Sequence, residues 1–177
     1  MTQIIRQRQV VADDWRLLKT AADVVPQTLS DADKVIVPLG VWKAQRAALL
    51  ATHCTLGVWL ENHEDPAEVA PDLRYFGTIA VDFPQFTDGR GYSIARELRE
   101  RHAWRGELRA IGDVRRDQLF YLARCGFDAF ALHAGQDPHA ALTAFDDFTE
   151  AYQTSVERPQ PLFRRRAQPA AERAIRS

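Results

Sequence analysis

Short apolar segments alternate with helical patterns along most of the chain. Five segments have the length and composition of buried strands, and they lie at residues 35–37, 56–60, 78–81, 108–111 and 127–132. Between them, helical patterns run over residues 40–51, 91–102 and 114–125, the last ending at Gly126. Shorter helices are predicted to begin at Asp65-Pro66 and at Asp137-Pro138, the second running to about Gln153. Residues 4–18 alternate loosely, which fits either a hairpin or a short strand.

This alternation of strands and helices predicts an α/β domain. Strands that alternate with helices at this spacing form βαβ units, so we expect a mainly parallel sheet of about five strands flanked by helices. A three-layer open sheet is the first choice, and a partial (β/α) barrel fits the same rhythm. In both folds the carboxyl ends of the strands meet at one edge, which is where such folds place their ligands.

Polar residues follow the predicted strand that ends near Val81. The segment contains Asp88, Gly89, Arg90, Gly91, Tyr92 and Ser93, directly before a helix. Glycines at a helix N-terminus let backbone N–H groups face an anion, and an arginine can bind an oxyanion through two parallel hydrogen bonds. Alternatively, Thr87 or Asp88 caps the helix and the glycines only make the turn.

A second polar segment follows the predicted strand that ends at Ile111. It contains Asp113, Arg115, Arg116, Asp117 and Gln118. We expect Arg90 and either Arg115 or Arg116 to hold an oxyanion or a partner's carboxylate together at the shared edge. The alternative is that Asp113 caps the helix and the remaining charges form a solvated first turn.

Composition limits the class of protein. The chain has 177 residues, of which 46% are hydrophobic, enough for one domain with a core. A net charge of −1 argues against nucleic acid as a partner, and no apolar run is long enough to span a membrane. The start lacks the apolar segment of a signal peptide, which favours the cytoplasm. We expect one domain over residues 1–156 and a basic, proline- and arginine-rich tail over 157–177, in which PLFRR docks on the body and the remainder is loose.

No sequence pattern indicates a cofactor or a metal. Cys54 and Cys125 are isolated, and the histidines lack metal-ligand spacing. The glycines match neither a Walker loop nor a dinucleotide fingerprint. Cys125 precedes Gly126 at the end of a predicted helix, so a buried, unreactive thiol is expected.

Several segments resemble a bacterial family known as domain of unknown function 934. The matching pieces are VIVPLGVW, LGVWLE, FPQFTDGRGYSIARELRER, RGELRAIGDVRRDQLFYLARCGFDAF and PLFRR, from about residue 35 to 166. The family is usually encoded beside assimilatory sulfite reductase and is labelled an oxidoreductase or an accessory protein. The resemblance therefore implies sulfate assimilation and cysteine biosynthesis, with sulfite reductase as a partner. It implies no catalytic residues.

Three functions fit these observations. The first is a non-catalytic accessory protein of sulfite reduction that binds a partner enzyme or a small oxyanion at the arginine-rich edge. The second is an enzyme, an oxidoreductase by family label, acting on a sulfur oxyanion or a phosphorylated small molecule. The third is a structural interaction domain without a ligand. A fold of this class hosts many activities and does not separate them.

Overall fold

One mixed sheet of eight strands organises the protein. In the computed structural model, which describes residues 2–147 and 156, the strands pair in the order β2-β1-β8-β7-β6-β5-β4-β3. Their bounds are β1 Gln3–Arg6, β2 Gln9–Ala12, β3 Arg16–Leu17, β4 Lys34–Pro38, β5 Thr55–Leu60, β6 Phe76–Phe83, β7 Glu107–Gly112 and β8 Ala129–Phe130. Strands β3 to β8 are parallel, whereas β1 is antiparallel to both β2 and β8.

The described residues also form four α-helices and six 3₁₀-helices, of which the last α-helix and the last 3₁₀-helix follow β8. The α-helices are α1 Leu39–Leu50, α2 Arg90–Glu100, α3 Leu119–Cys125 and α4 Pro138–Ala141. The 3₁₀-helices are Ala21–Asp23, Pro26–Thr28, Pro66–Glu68, Ala70–Tyr75, Arg116–Gln118 and Leu142–Asp146.

The sequential strand order selects between the two predicted architectures. The parallel strands are neighbours both in sequence and in space, and right-handed crossovers join such strands. Their helices then all lie on one face of the sheet, and the sheet curls as it does in a (β/α) barrel. The larger hydrophobic cluster accordingly joins this convex face to helix residues such as Trp42, Leu98 and Leu122. A smaller cluster around Ile36, Ala80 and Ile111 lies on the concave face. The protein is thus an α/β fold with an open, curled sheet, which matches the partial-barrel alternative.

The predicted strands form the parallel centre of the sheet. All five are present, and β6 and β7 pair in parallel from Thr78 with Glu107 to Phe83 with Gly112. The strand ends after Asp82, Gly112 and Phe130 therefore meet at one edge, as expected. Residues 4–18, left open between a hairpin and a strand, form the hairpin β1–β2 and then β3, which raises the number of strands from about five to eight.

Two predicted helices differ from the observed ones. Residues 114–125 do not form one helix: Gln118 accepts the N–H of Arg115 and Arg116–Gln118 winds as a 3₁₀-turn, so α3 begins only at Leu119. Gly126 ends α3 in the left-handed conformation, as predicted. The helix that begins after the capping residue Asp137 changes to a 3₁₀-helix at Leu142. Its predicted continuation to Gln153 and the predicted tail over 157–177, including PLFRR, lie outside the described residues.

A network of paired charges fills the amino end of the concave face. The buried guanidinium of Arg109 donates two 3.0 Å hydrogen bonds to Asp13 and two further bonds to Glu107. Glu107 also accepts a hydrogen bond from Thr78 and lies 2.6 Å from Arg6. Because a buried charge is tolerated only when it is paired, this network stabilises the fold.

Candidate functional site

Two loops lie side by side at the carboxyl edge of the sheet. The β6–α2 loop spans residues 84–89, and the β7–α3 loop spans residues 113–118. Gly112 makes their close approach possible, since it adopts φ +94°. A Cβ atom at this position would lie 2.4 Å from the carbonyl oxygen of Phe83 and 2.6 Å from Oδ1 of Asp82. Only glycine therefore fits where β7 turns into its loop.

Hydrogen bonds join the two loops into one surface. Asp113 donates its backbone N–H to the carbonyl of Phe83 at 2.7 Å, and its carboxylate accepts the N–H of Phe86 at 3.2 Å. The buried Gln118 donates to the carbonyl of Phe86 at 3.3 Å and to the hydroxyl of Tyr92 at 3.1 Å. The sequence prediction that the two polar segments share one edge is therefore matched by direct contacts between them.

Arg90, the first residue of α2, is bound by an acid of the loop that precedes it. Its Nε and Nη2 donate to the two carboxylate oxygens of Asp88 at 3.1 and 2.6 Å, and its backbone N–H donates to Asp88 at 3.0 Å. Asn62 donates a further hydrogen bond to Asp88. These bonds, first of all those from Arg90, lower the pKa of Asp88 to about 2. Asp88 thus both holds the first turn of α2 and neutralises the arginine.

Arg115 repeats this arrangement in the second loop. Its Nε and Nη2 donate to the two carboxylate oxygens of Asp113 at 2.9 and 3.0 Å, which lowers the pKa of that carboxyl. The guanidinium also lies 5.2 Å from the ring centre of Phe86. Asp113 does not cap a helix at residue 114, as one prediction had it, because its carboxylate is engaged by Arg115 and by the N–H of Phe86.

The other predicted site residues occupy different positions. Arg116 turns away toward Asp147, at 3.0 Å, and Thr143. Asp117 is largely exposed and lies 3.7 Å from Arg116. Gly91 is buried against the ring of Phe83, and Ser93 is exposed on α2. Of the proposed cations, Arg90 therefore lies at the start of α2, next to the first loop, Arg115 lies in the second loop, and Arg116 belongs to a separate ion pair.

Aromatic side chains complete this part of the surface. Phe86 and Tyr121 are 40% and 49% exposed, large fractions for aromatic residues. Tyr121 contacts Tyr92 edge to face, with ring centres 5.0 Å apart. We call Phe86, Arg90, Tyr92, Arg115 and Tyr121 the arginine–aromatic surface. Phe86 and Tyr121 were not among the predicted site residues, although an exposed aromatic residue near arginines is a recognisable signal of a binding surface.

Side chains with redox or metal-binding chemistry are not grouped with one another in the described part of the chain. Cys54 and Cys125 are both buried and free, and burial raises the pKa of the Cys125 thiol. Within residues 2–147 and 156, no three His, Cys, Asp or Glu side chains are grouped so as to hold a metal ion. The same part of the chain contains no helix long and apolar enough to cross a membrane.

The fold and the joined loops define an α/β partial barrel with a candidate binding surface at the carboxyl edge of its sheet. Comparison with protein families then places the chain. Residues 57–163, more than half of its length, match the family described as "Bacterial protein of unknown function (DUF934)", and the chain belongs to this family. The match includes both loops of the candidate site. No curated protein matches the sequence.

Proposed function

We propose that this protein is an accessory protein of assimilatory sulfite reduction that binds a partner enzyme through the arginine–aromatic surface. The pathway and the partner, sulfite reductase, follow from the family resemblance. The choice of surface rests on one observation: Arg115 is held against the exposed ring of Phe86, and Arg90 is held by Asp88 on the neighbouring segment, which hydrogen bonds join to the first.

The state of the two guanidinium groups favours a protein over a small oxyanion. An oxyanion would meet a charge that is already neutralised, because one edge of the Arg90 guanidinium and the backbone N–H donate to the carboxylate of Asp88. Arg115 is engaged in the same way by Asp113. A partner protein does not need to displace these carboxylates, because it can pack on the flat guanidinium faces and on the rings beside them.

Exposure and rigidity of the arginines support the same conclusion. The side chains of Arg90 and Arg115 remain 61% and 52% exposed although both are fixed by two hydrogen bonds. A side chain that is already fixed loses little conformational entropy when a partner binds. Arginine and aromatic residues are also the types that contribute most binding energy at protein interfaces. The surface therefore has the composition and the preorganisation of a docking site.

The direct test is a binding measurement between the purified full-length chain and purified sulfite reductase, for example by biolayer interferometry. Arg90→Lys and Arg115→Lys keep the charge and lose the planar fork, and we expect each to weaken binding. Phe86→Ala removes an exposed ring and should weaken binding by about tenfold or more. None of the three should shift the melting temperature strongly, because all three side chains are substantially exposed.

Arg101→Lys is the matched control. Arg101 directly follows α2, at the opposite end of the helix that begins with Arg90, and it is likewise exposed and paired with a carboxylate, that of Glu97. It should bind sulfite reductase like the unaltered protein. Equal binding by all four variants would exclude the arginine–aromatic surface, and absence of binding by the unaltered protein would exclude sulfite reductase as the direct partner.

A further inference from the structure

A cleft opens at the same edge of the sheet, at the ends of β4 and β5, and none of its lining residues belongs to the arginine–aromatic surface. Its volume is about 350 Å³, within the range of sites for small molecules. Apolar groups of the β4–α1 junction and of α1 form one part of its wall, contributed by Pro38, Leu39, Gly40, Val41 and Ala44. The carboxyl ends of parallel strands are where (β/α) folds place their ligands, so the position of the cleft is itself informative.

Trp59 and Lys19 form a second part of the wall. Trp59 is partly exposed, and its Nε1–H donates to the carbonyl of Leu18 at 3.0 Å, which fixes the indole ring. Lys19 follows directly and has no hydrogen-bond or ion-pair partner among the described residues. The cleft thus combines a fixed aromatic ring, which attracts organic cations and apolar groups, with one available ammonium group.

Two carboxylates also line the cleft, and a third lies beside them. Glu61 and Glu64 line the cleft, and Glu61 follows the end of β5. Since Leu60 pairs with Val81, Glu61 is beside Asp82 at the end of β6. Asp82 is half-buried and accepts no hydrogen bond from any described side chain. Burial and the charge of Glu61 raise the pKa of Asp82, and the charge of Lys19 partly offsets this rise. A carboxylate in such surroundings gains from a cation that binds beside it.

We propose that this cleft binds a small zwitterion of the α-amino acid class. The ammonium group of the ligand lies toward Glu61 and Asp82, its carboxylate lies toward Lys19, and its apolar part packs against Trp59. Both charges of the ligand then meet an opposite charge, and the half-buried Asp82 gains the donor that it lacks. The site is independent of the arginine–aromatic surface, so either proposal can fail without the other.

Isothermal titration of the full-length protein with three probes of similar size tests this directly. L-norvaline carries both charges, n-butylamine carries only the cation and butyrate carries only the anion. We expect norvaline to bind and each single-charge probe to bind about tenfold or more weakly, because each lacks one charge-assisted contact. Failure of norvaline to bind, or equal binding of all three probes, would overturn the proposal.

Two variants locate the binding site. Asp82→Asn should weaken the binding of norvaline and of butylamine by about tenfold or more, and Lys19→Met should weaken norvaline without affecting butylamine. Glu100→Gln and Lys43→Met are controls on the outer helices, each removing a charge from an ion pair at an exposed position. Because Lys19 is exposed, Lys19→Met should fold normally, so it provides a test even if Asp82→Asn does not fold. If Lys19→Met binds norvaline like the unaltered protein, the cleft is not the binding site.

Discussion

Replacing Arg99 by methionine tests whether this side chain anchors α2, the helix whose first turn carries Arg90 and Tyr92 of the arginine–aromatic surface. Arg99 lies on α2, the helix that begins at Arg90, and only 9% of its side chain is exposed. Its guanidinium donates to the backbone carbonyls of Trp104, Gly106 and Gly126 at 2.8–2.9 Å and to the carboxylate of Asp128 at 3.0 Å. One side chain therefore ties α2 to the segments that lead into β7 and β8.

The expected loss of stability follows from these four hydrogen bonds. Methionine keeps much of the apolar stem but leaves three carbonyls and one carboxylate without this donor. A hydrogen bond to a charged group contributes roughly 1.5–3 kcal/mol, but groups near the surface recover part of this from water. The side chain of Asp128 is 37% exposed, so its hydrogen bond with Arg99 contributes less to the free energy of unfolding than a buried one would. We expect the free energy of unfolding to fall by about 2–3 kcal/mol, less than the roughly 3–5 kcal/mol lost when one partner of a fully buried pair is removed.

The pH dependence adds a second readout to the same variant. Burial already raises the pKa of Asp128, and the charge of Arg99 opposes this shift. Without Arg99 the folded-state pKa rises further above its unfolded value of about 4. A carboxyl shifted in this direction contributes stability below the unfolded pKa and loses it as the pH rises through the folded pKa. The deficit of Arg99→Met relative to the unaltered protein should therefore be larger at pH 7 than at pH 5.

Urea denaturation at pH 5 and pH 7 measures both effects. Arg101→Met is the control, because Arg101 is exposed two residues further along the same helical segment and should change the free energy of unfolding by no more than about 0.5 kcal/mol. A loss below about 1 kcal/mol for Arg99→Met, or a deficit that does not depend on pH, would show that the four hydrogen bonds do not anchor α2.

Three further predictions concern the loops, the cofactor content and physiology. Gly112→Ala should lower the free energy of unfolding by about 1–3 kcal/mol in thermal or urea denaturation, because alanine at φ +94° is strained and its Cβ meets the carbonyl of Phe83; an unchanged value would mean that the backbone relaxes. The purified protein should be colourless and free of stoichiometric metal, as absorbance and elemental analysis can check; about one zinc or iron per chain would contradict this. A deletion strain should grow poorly on sulfate and recover with cysteine, and normal growth without a redundant copy would refute the pathway assignment.

The sequence was sufficient for the centre of the fold because local patterns determine it. Each of the five predicted strands is short and apolar, and the helical patterns between them leave parallel pairing as the simple solution. The shared edge of Asp82 and Gly112 followed from that topology alone. The curl of the sheet did not, because it depends on the spatial order of strands, including a hairpin that pairs β1 with β8 at the far end of the chain.

The details of the candidate site depend on contacts that no local pattern encodes. The sequence identified the segment that contains Asp88 and Arg90 as polar and charged. It could not show whether Arg90 binds a ligand or, as observed, the carboxylate of Asp88, because both arrangements use the same residues. Arg109 and Asp13, which are 96 residues apart, meet only because the segment between β2 and β3 brings Asp13 to the concave face. The cleft of Lys19 and Trp59 likewise combines a connecting segment with a distant strand end. Such arrangements are determined by tertiary packing and not by the spacing of residues along the sequence.

Hydrogen–deuterium exchange on the complex with sulfite reductase is the most direct test of the central claim. The proposed docking predicts that binding slows exchange in residues 84–93 and 113–121, the two segments that carry the arginine–aromatic surface. Exchange at the amino edge, around Arg46 and Asp72, should not change, although this pair is also joined by two hydrogen bonds. Protection at the amino edge with unchanged exchange in the two loops would contradict the account.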